Sequence, residues 1–429
     1  MLLLYNIFQV VVLIIASPLL LVKTILTPKY RGRILGRLGI GIRKRLPDGP
    51  PPGPVIWLHA LSVGEVSSAQ PLARGIKARF PRATLYFSTT TRAGGEMARQ
   101  KLSEVVDAFI PFPLDFKPSV RQMLKQVNPD LFILVETDFW PNFLAGLRRE
   151  GIPALLVNGR ISDHSFKSYR RFRWLFRGLF ASFSYLSMQT ADHARKMLEL
   201  GASKEQVLPL GNLKFDAALP AQSGPPLPRR EYGLREGGPL WIAGSTHPGE
   251  EQIVFAVFKR LLASFPDLLL VIAPRQVDRG KEVLALAQAS GLEAWTRRAG
   301  LPENGEKQVL VLDTLGELAG IYALGDFAFV GGSLMRDGGH NPLEPAVYGK
   351  PVLFGPHMED FAEISRLLLE GGGGKRVADE EQLFRNVHEW LSEPALRENC
   401  GRRASEAVQQ HRGATARHLE LIEQGLAKG

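Results

Sequence analysis

Apolar and polar positions change their spacing several times along the chain. From Leu2 to Val22 the residues carry no charge and are mostly apolar, a run long enough to span a bilayer core, with Asn6, Gln9 and Pro18 as its weak points. From Val55 onward, short unbroken apolar runs alternate with amphipathic stretches. Val55–Ala60, Thr84–Phe87, Leu131–Val135 and Ala154–Val157 predict buried strands, with helices from about Glu65 to Arg79, from Gly94 and from Pro141. A second series opens with the strand Leu240–Ala243 and continues through Phe327–Val330 and a strand starting at Lys350-Pro351. The polar tail from Glu380 to Lys428 predicts helix. Strands alternating with helices imply an α/β protein with parallel, doubly wound sheets.

Proline-rich Asp48–Pro54 and Leu219–Arg229 read as linkers, which gives residues 1–47, 48–218 and 219–429 as the expected divisions. The two domain openings look alike. Trp57-Leu58-His59-Ala60-Leu61-Ser62-Val63-Gly64-Glu65 and Trp241-Ile242-Ala243-Gly244-Ser245-Thr246-His247-Pro248-Gly249-Glu250 share a strand, a loop with hydroxyl groups, a glycine and a Glu at a helix start. This repeat suggests two Rossmann-like lobes facing each other across a cleft.

Phe327–His357 is the densest stretch. After the strand, Gly331, Gly332 and Ser333 allow a sharp turn; Asn341 then fits an N-cap, with Pro342 in the first turn and Glu344 three residues on. Ligands of open α/β sheets sit beyond the carboxyl ends of the strands, where helix N-termini favour phosphate, so a nucleotide site fits here. The plainer alternative makes Glu344 the partner in a capping box. Glu65 stands in the first βα loop, where it suits either general-base chemistry or complementation of a helix dipole.

Composition narrows the chemistry. Cys400 is the only cysteine, which excludes an internal disulfide and a cysteine zinc site. The sequence contains no HExxH, no GxxxxGK[ST] and no Gly-x-Ser-x-Gly elbow. The net charge of +10 would suit nucleic acid, but its placement argues otherwise. Residues 1 to 47 contain no Asp or Glu, and Lys23, Lys29, Arg31, Arg33, Arg37, Arg43, Lys44 and Arg45 follow the apolar run directly. That order predicts an uncleaved membrane anchor with its basic side on the cytoplasmic face, against anionic headgroups. The segment Ser168–Phe183 fits either an amphipathic helix on lipid or a helix packed in the domain with its arginines outward.

One set of motifs is specific when taken in order: His59–Glu65, Trp140-Pro141-Asn142, Asn158–Ser162, Gly211–Asp216, Gly244–His247, Ala273-Pro274-Arg275, Gly316-Glu317-Leu318, and Gly331–Ser333 with His340–Glu344. The set resembles the 3-deoxy-D-manno-octulosonic acid (Kdo) transferases from the anchor to about residue 370. The resemblance implies a GT-B glycosyltransferase that moves Kdo from CMP-Kdo to a lipid A precursor, lipid IVA, at the inner membrane during lipopolysaccharide core biosynthesis, inverting the anomeric centre. It assigns Glu65 as general base. It places Arg275, Gly316, Glu317, Leu318, Gly331, Gly332, Ser333, Asn341 and Glu344 on the CMP moiety, with no metal or cofactor and no nucleic-acid partner. The chain departs from the common pattern at Asp138-Phe139 and at Gln276. A sugar-nucleotide epimerase would share the fold without needing the anchor. A membrane scaffold would not need Glu65 together with the nucleotide motifs.

Overall fold

The computed structural model describes residues 2–3, 5–7, 9–12, 34–136, 138–218, 227–302 and 307–427. It forms two compact units, one running to Ala217 and taking in Arg412 onward, the other comprising Ala218–His411. In the first unit β1 (Val55–His59), β2 (Thr84–Thr89), β3 (Ala108–Pro111), β4 (Leu131–Val135), β5 (Ala154–Gly159), β6 (Tyr185–Met188) and β7 (Val207–Leu208) make one sheet in the order β3-β2-β1-β4-β5-β6-β7. Every pairing is parallel. The second unit has its own parallel sheet: β8 (Leu240–Thr246), β9 (Leu269–Pro274), β10 (Ala294–Thr296), β11 (Val309–Val311), β12 (Phe327–Val330), β13 (Val352–Phe354) and β14 (Gly374–Arg376), ordered β10-β11-β9-β8-β12-β13-β14. The chain reverses its winding between β1 and β4 in one sheet and between β8 and β12 in the other. Those are the topological switch points, where α/β sheets place ligands.

The strands read as unbroken apolar runs because helices cover both faces. In β1, Val55 and Trp57 enter one core, while Ile56 and Leu58 enter another. Trp57 packs edge-on against Phe132 and Phe143, with ring centroids 5.6 and 5.2 Å away, and this aromatic cluster fixes one face of the first sheet. The segment Ser168–Phe183 divides its roles. It spans parts of two helices, Asp163–Arg171 and Arg173–Phe180; Phe180 and Phe183 lie in the core, whereas Phe172 and Trp174 are exposed among outward arginines.

Most of the proposed anchor and its basic run, residues 13–33, lies outside the described residues. Among the described residues no helix is long and apolar enough to cross a membrane. The helical residues ahead of them use their polar side chains to dock on the first unit. Tyr5 Oη donates to Asp115 Oδ2 at 2.8 Å, Gln9 Nε2 donates to Asp115 O at 2.9 Å, and Asn142 Nδ2 donates to Asn6 Oδ1 at 2.9 Å. Leu3 and Ile7 stay exposed.

The tail corrects one expected boundary. Helices Glu380–Ser392 and Pro394–Gln410 belong to the second unit, but Ala414–Leu426 returns to the first. It packs on the helix Val63–Arg79 so closely that a Cβ on Gly75 would come 2.8 Å from Leu419. Asp216 accepts the Gly413 and Thr415 amides at 2.8 and 2.6 Å, and buried His418 pairs with Ser187 at 2.8 Å. The partners lie about 200 residues upstream, so no local pattern announces them. Asp216→Ala should lower unfolding stability by roughly 1.5 to 3 kcal/mol, the range for hydrogen bonds to a charged acceptor. In hydrogen exchange it should loosen the last helix selectively; unchanged protection there would contradict this docking.

Candidate functional site

In the first unit the loops after β1 and β4 meet at the switch point. Ser62 precedes the helix Val63–Arg79 but makes no side-chain cap bond. Glu65 reaches back instead. Its Oε2 accepts the Leu61 amide at 2.5 Å, and Ser62 Oγ donates to Oε1 over 3.4 Å. Burial pushes the Glu65 carboxyl up to about 7; the Leu61 amide opposes the shift, and Glu136 and Asp138 add repulsion. At neutral pH such a group is divided between its two protonation states, as a general base should be. Glu136 follows β4 with φ at 61° and meets Arg160 Nε at 3.2 Å. Asp138, also raised by burial, accepts Trp140 Nε1 at 2.8 Å.

His59 takes no part in this arrangement. It is fully buried, stacked on Phe112 at 3.9 Å and bonded through Nδ1 to Ser88 Oγ at 2.8 Å. Burial holds its imidazole down to about 3. It is a neutral core group.

In the second unit the expected nucleotide residues follow the carboxyl ends of β9, β11 and β12. Gly331 is required by close approach, since a Cβ there would lie 2.5 Å from Ser245 O and 2.6 Å from Thr246 Cα. The amides of this glycine turn point inward, onto a carboxylate. Glu250, fully buried, accepts His247 N and Gly332 N on Oε2 at 2.9 and 2.7 Å, and Ser333 N and Leu334 N on Oε1 at 2.9 Å each. Ser333 Oγ also accepts Gly355 N at 2.8 Å, tying the turn to the end of β13.

Arg275 follows β9, its amide bonded to Thr246 O at 2.9 Å. Its guanidinium is exposed and makes no hydrogen bond or ion pair among the described residues. Glu344 lies near enough for Arg275 to oppose the rise of its carboxyl, which burial pushes up to about 6. Asn341 makes the capping bond that the sequence implied: its Oδ1 accepts from Leu343 N at 3.1 Å, with helical Pro342, which has no N–H to satisfy, between them at the start of the short helix Leu343–Ala346. Leu318 approaches Gly244, where a Cβ would come 3.3 Å from its Cδ1. Gly316 turns with φ at 87°, and Glu317 is drawn aside to Arg297 at 3.0 Å.

Sequence reasoning missed Glu250, though a signal existed: it occupies the same place in the repeated opening as Glu65. It also missed the partnership of His247, on the loop after β8, with His340 and Asp337, on the loop after β12. Among the described residues no group of three or more His, Cys, Asp or Glu is placed to hold a metal ion.

Comparison with known proteins agrees with this layout. A family model described as 3-deoxy-D-manno-octulosonic-acid transferase (kdotransferase) matches residues 33–217. The 3-deoxy-D-manno-octulosonic acid transferase of Haemophilus influenzae is 34% identical over 97% of this chain and 98% of its own. The Bordetella pertussis protein of the same name is 33% identical over 86% and 87%. The crystal structure of UDP-GlcNAc 2-epimerase from Neisseria meningitidis bound to UDP-GlcNAc superposes with a TM-score of 0.59 over 88% of this chain and all of that one. At 13% identity it shows a common GT-B fold and nothing more.

The Glu250 clamp is open to test. Glu250→Gln turns an amide NH2 toward backbone donors and should cost roughly 2 to 4 kcal/mol of stability. A denaturation midpoint equal to the parent's would contradict the clamp.

Proposed function

The chain belongs to the Kdo transferase family and is a glycosyltransferase, and we propose that it takes Kdo from CMP-Kdo and attaches it to lipid IVA, with inversion at the anomeric carbon. The observation that carries this reading is Glu65, a carboxyl poised near neutrality at the switch point of the first sheet. An acceptor hydroxyl is a poor nucleophile until a base takes its proton. Glu65 takes that proton as the oxygen attacks the anomeric carbon, and CMP leaves from the opposite face.

The second unit holds the nucleotide. Arg275 meets the phosphate with a charge that, among the described residues, no carboxylate engages in an ion pair. Asn341 and Glu344 contact the nucleoside, and Gly316-Glu317-Leu318 borders it. Gly331, Gly332 and Ser333 shape the floor, held there by Glu250. The phosphorylated acceptor suits the surplus of positive charge, and the apolar amino-terminal run with its basic segment suits an enzyme held at the cytoplasmic face of the inner membrane.

Washed membranes carrying the protein, given CMP-Kdo and lipid IVA, should yield lipid heavier by whole Kdo units. Breakdown of CMP-Kdo without a heavier lipid would contradict the acceptor assignment, and activity confined to the soluble fraction would contradict the membrane placement. Because protonated Glu65 cannot accept a proton, kcat/KM should fall about tenfold per pH unit below about 7 and level off above it. A flat profile across that range would remove Glu65 from the base role.

A further inference from the structure

Three side chains at the β8–β12 switch point have no part in the transfer chemistry above. His247 follows β8, and His340 and Asp337 lie on the loop after β12. The Nε2 atoms of the two histidines are 2.8 Å apart, and His247 Nδ1 is 3.3 Å from Asp337 Oδ2. Both rings close over Gly332, where a Cβ would lie 3.2 Å from His340 Nε2 and 3.5 Å from His247 Cδ2.

Two ring nitrogens at that distance share one proton. If Asp337 accepts the Nδ1 hydrogen of a neutral His247, then His247 Nε2 accepts from His340 Nε2–H. His340 Nδ1 is left as a bare acceptor. One added proton reverses the order: it enters at His340 Nδ1, the shared proton passes to His247 Nε2, and the positive charge rests beside the Asp337 carboxylate. His340 Nδ1 has then become a donor.

The protein's own groups disfavour that second state. Burial first, then the charges of Arg275 and His247, hold His340 down to about 4. An anion beside Arg275 would cancel the main repulsive charge. It would also need donors, because the amides of Gly332, Ser333 and Leu334 already serve Glu250.

We propose that Asp337, His247 and His340 form a relay that takes up one proton from solvent when the phosphate of a nucleotide enters the site, and that His340 then donates a hydrogen bond to that phosphate. His340 is the contact residue; His247 and Asp337 position and charge it. The relay rests on the reading of CMP as the nucleotide. Other charged groups close by are accounted for: Glu250 is held by four amides, Asp360 packs at Gly338, His357 pairs with Glu359 at 3.4 Å, and Glu344 faces Arg275.

Calorimetry of CMP binding to the intact protein tests this, run near pH 7.5 in buffers of different ionisation enthalpy. A phosphate monoester is itself almost fully deprotonated there, its second pKa being about 6, so buffer-dependent heat reports uptake by the protein. The parent should take up close to one proton per CMP. His340→Gln should abolish the uptake and weaken CMP roughly 10-fold to 100-fold, the loss expected for one charged hydrogen bond. Asp337→Asn should still bind CMP but with reduced uptake, because the imidazolium has lost its carboxylate. CMP binding by the parent without buffer-dependent heat would overturn the relay and leave the donor assignment standing, as would full uptake by His340→Gln, which keeps Glu344. No CMP binding by the parent would sink the donor assignment and the relay together.

Discussion

A buried turn at the end of a strand exposes backbone amides that must find acceptors, and this protein meets the demand twice with a glutamate from the first turn of the helix that follows the first strand of each unit. In the second unit Glu250 takes four amides, two on each oxygen, and its charge is fully answered. The turn between β12 and the nucleotide residues is locked by that one side chain. In the first unit Glu65 stands at the matching place but receives one amide and a distant hydroxyl. The difference in donor count separates a fully satisfied carboxylate from one that burial raises to about 7. Both lie within the same repeated opening.

The under-served carboxylate has a thermodynamic consequence. A carboxyl whose folded pKa is raised stabilises the fold at low pH, and that contribution is lost as pH rises through about 7. Glu136 and Asp138 work in the same direction by repulsion, and Glu136 also sits in a backbone conformation that non-glycine residues rarely adopt. A rare backbone conformation and mutually repelling carboxylates therefore collect at the ends of β1 and β4, while the sheet beneath is packed by Trp57 and its phenylalanine neighbours.

The sheets were legible in the sequence because their strands are buried on both faces and so form unbroken apolar runs. Glu65 was legible because a short loop fixes where the first helical turn must fall. The direction of the amides at Gly332 and Ser333 was not, since it depends on Glu250, more than eighty residues earlier. Asn341 was legible for a local reason: proline at the next position has no first-turn N–H to satisfy, and the amide after it, Leu343 N, is the one the Asn341 side chain accepts. The docking of Ala414–Leu426 depended on Asp216 and on close approach at Gly75, neither of which leaves a trace in the tail's own periodicity. The His247–His340 contact joins two loops that only the sheet order brings together.

With Glu65 proposed as the base and the nucleotide proposed on the second unit, the two functions lie in different units and should fail separately. Glu65→Gln keeps the size of the side chain and an oxygen for the Leu61 amide but cannot take a proton. Measured on one preparation, it should bind CMP as the parent does, while single-turnover transfer from CMP-Kdo to lipid falls about 100-fold to 10,000-fold. A folded Glu65→Gln protein that binds CMP and transfers Kdo within about tenfold of the parent rate, a barrier change near 1.4 kcal/mol, would contradict the claim.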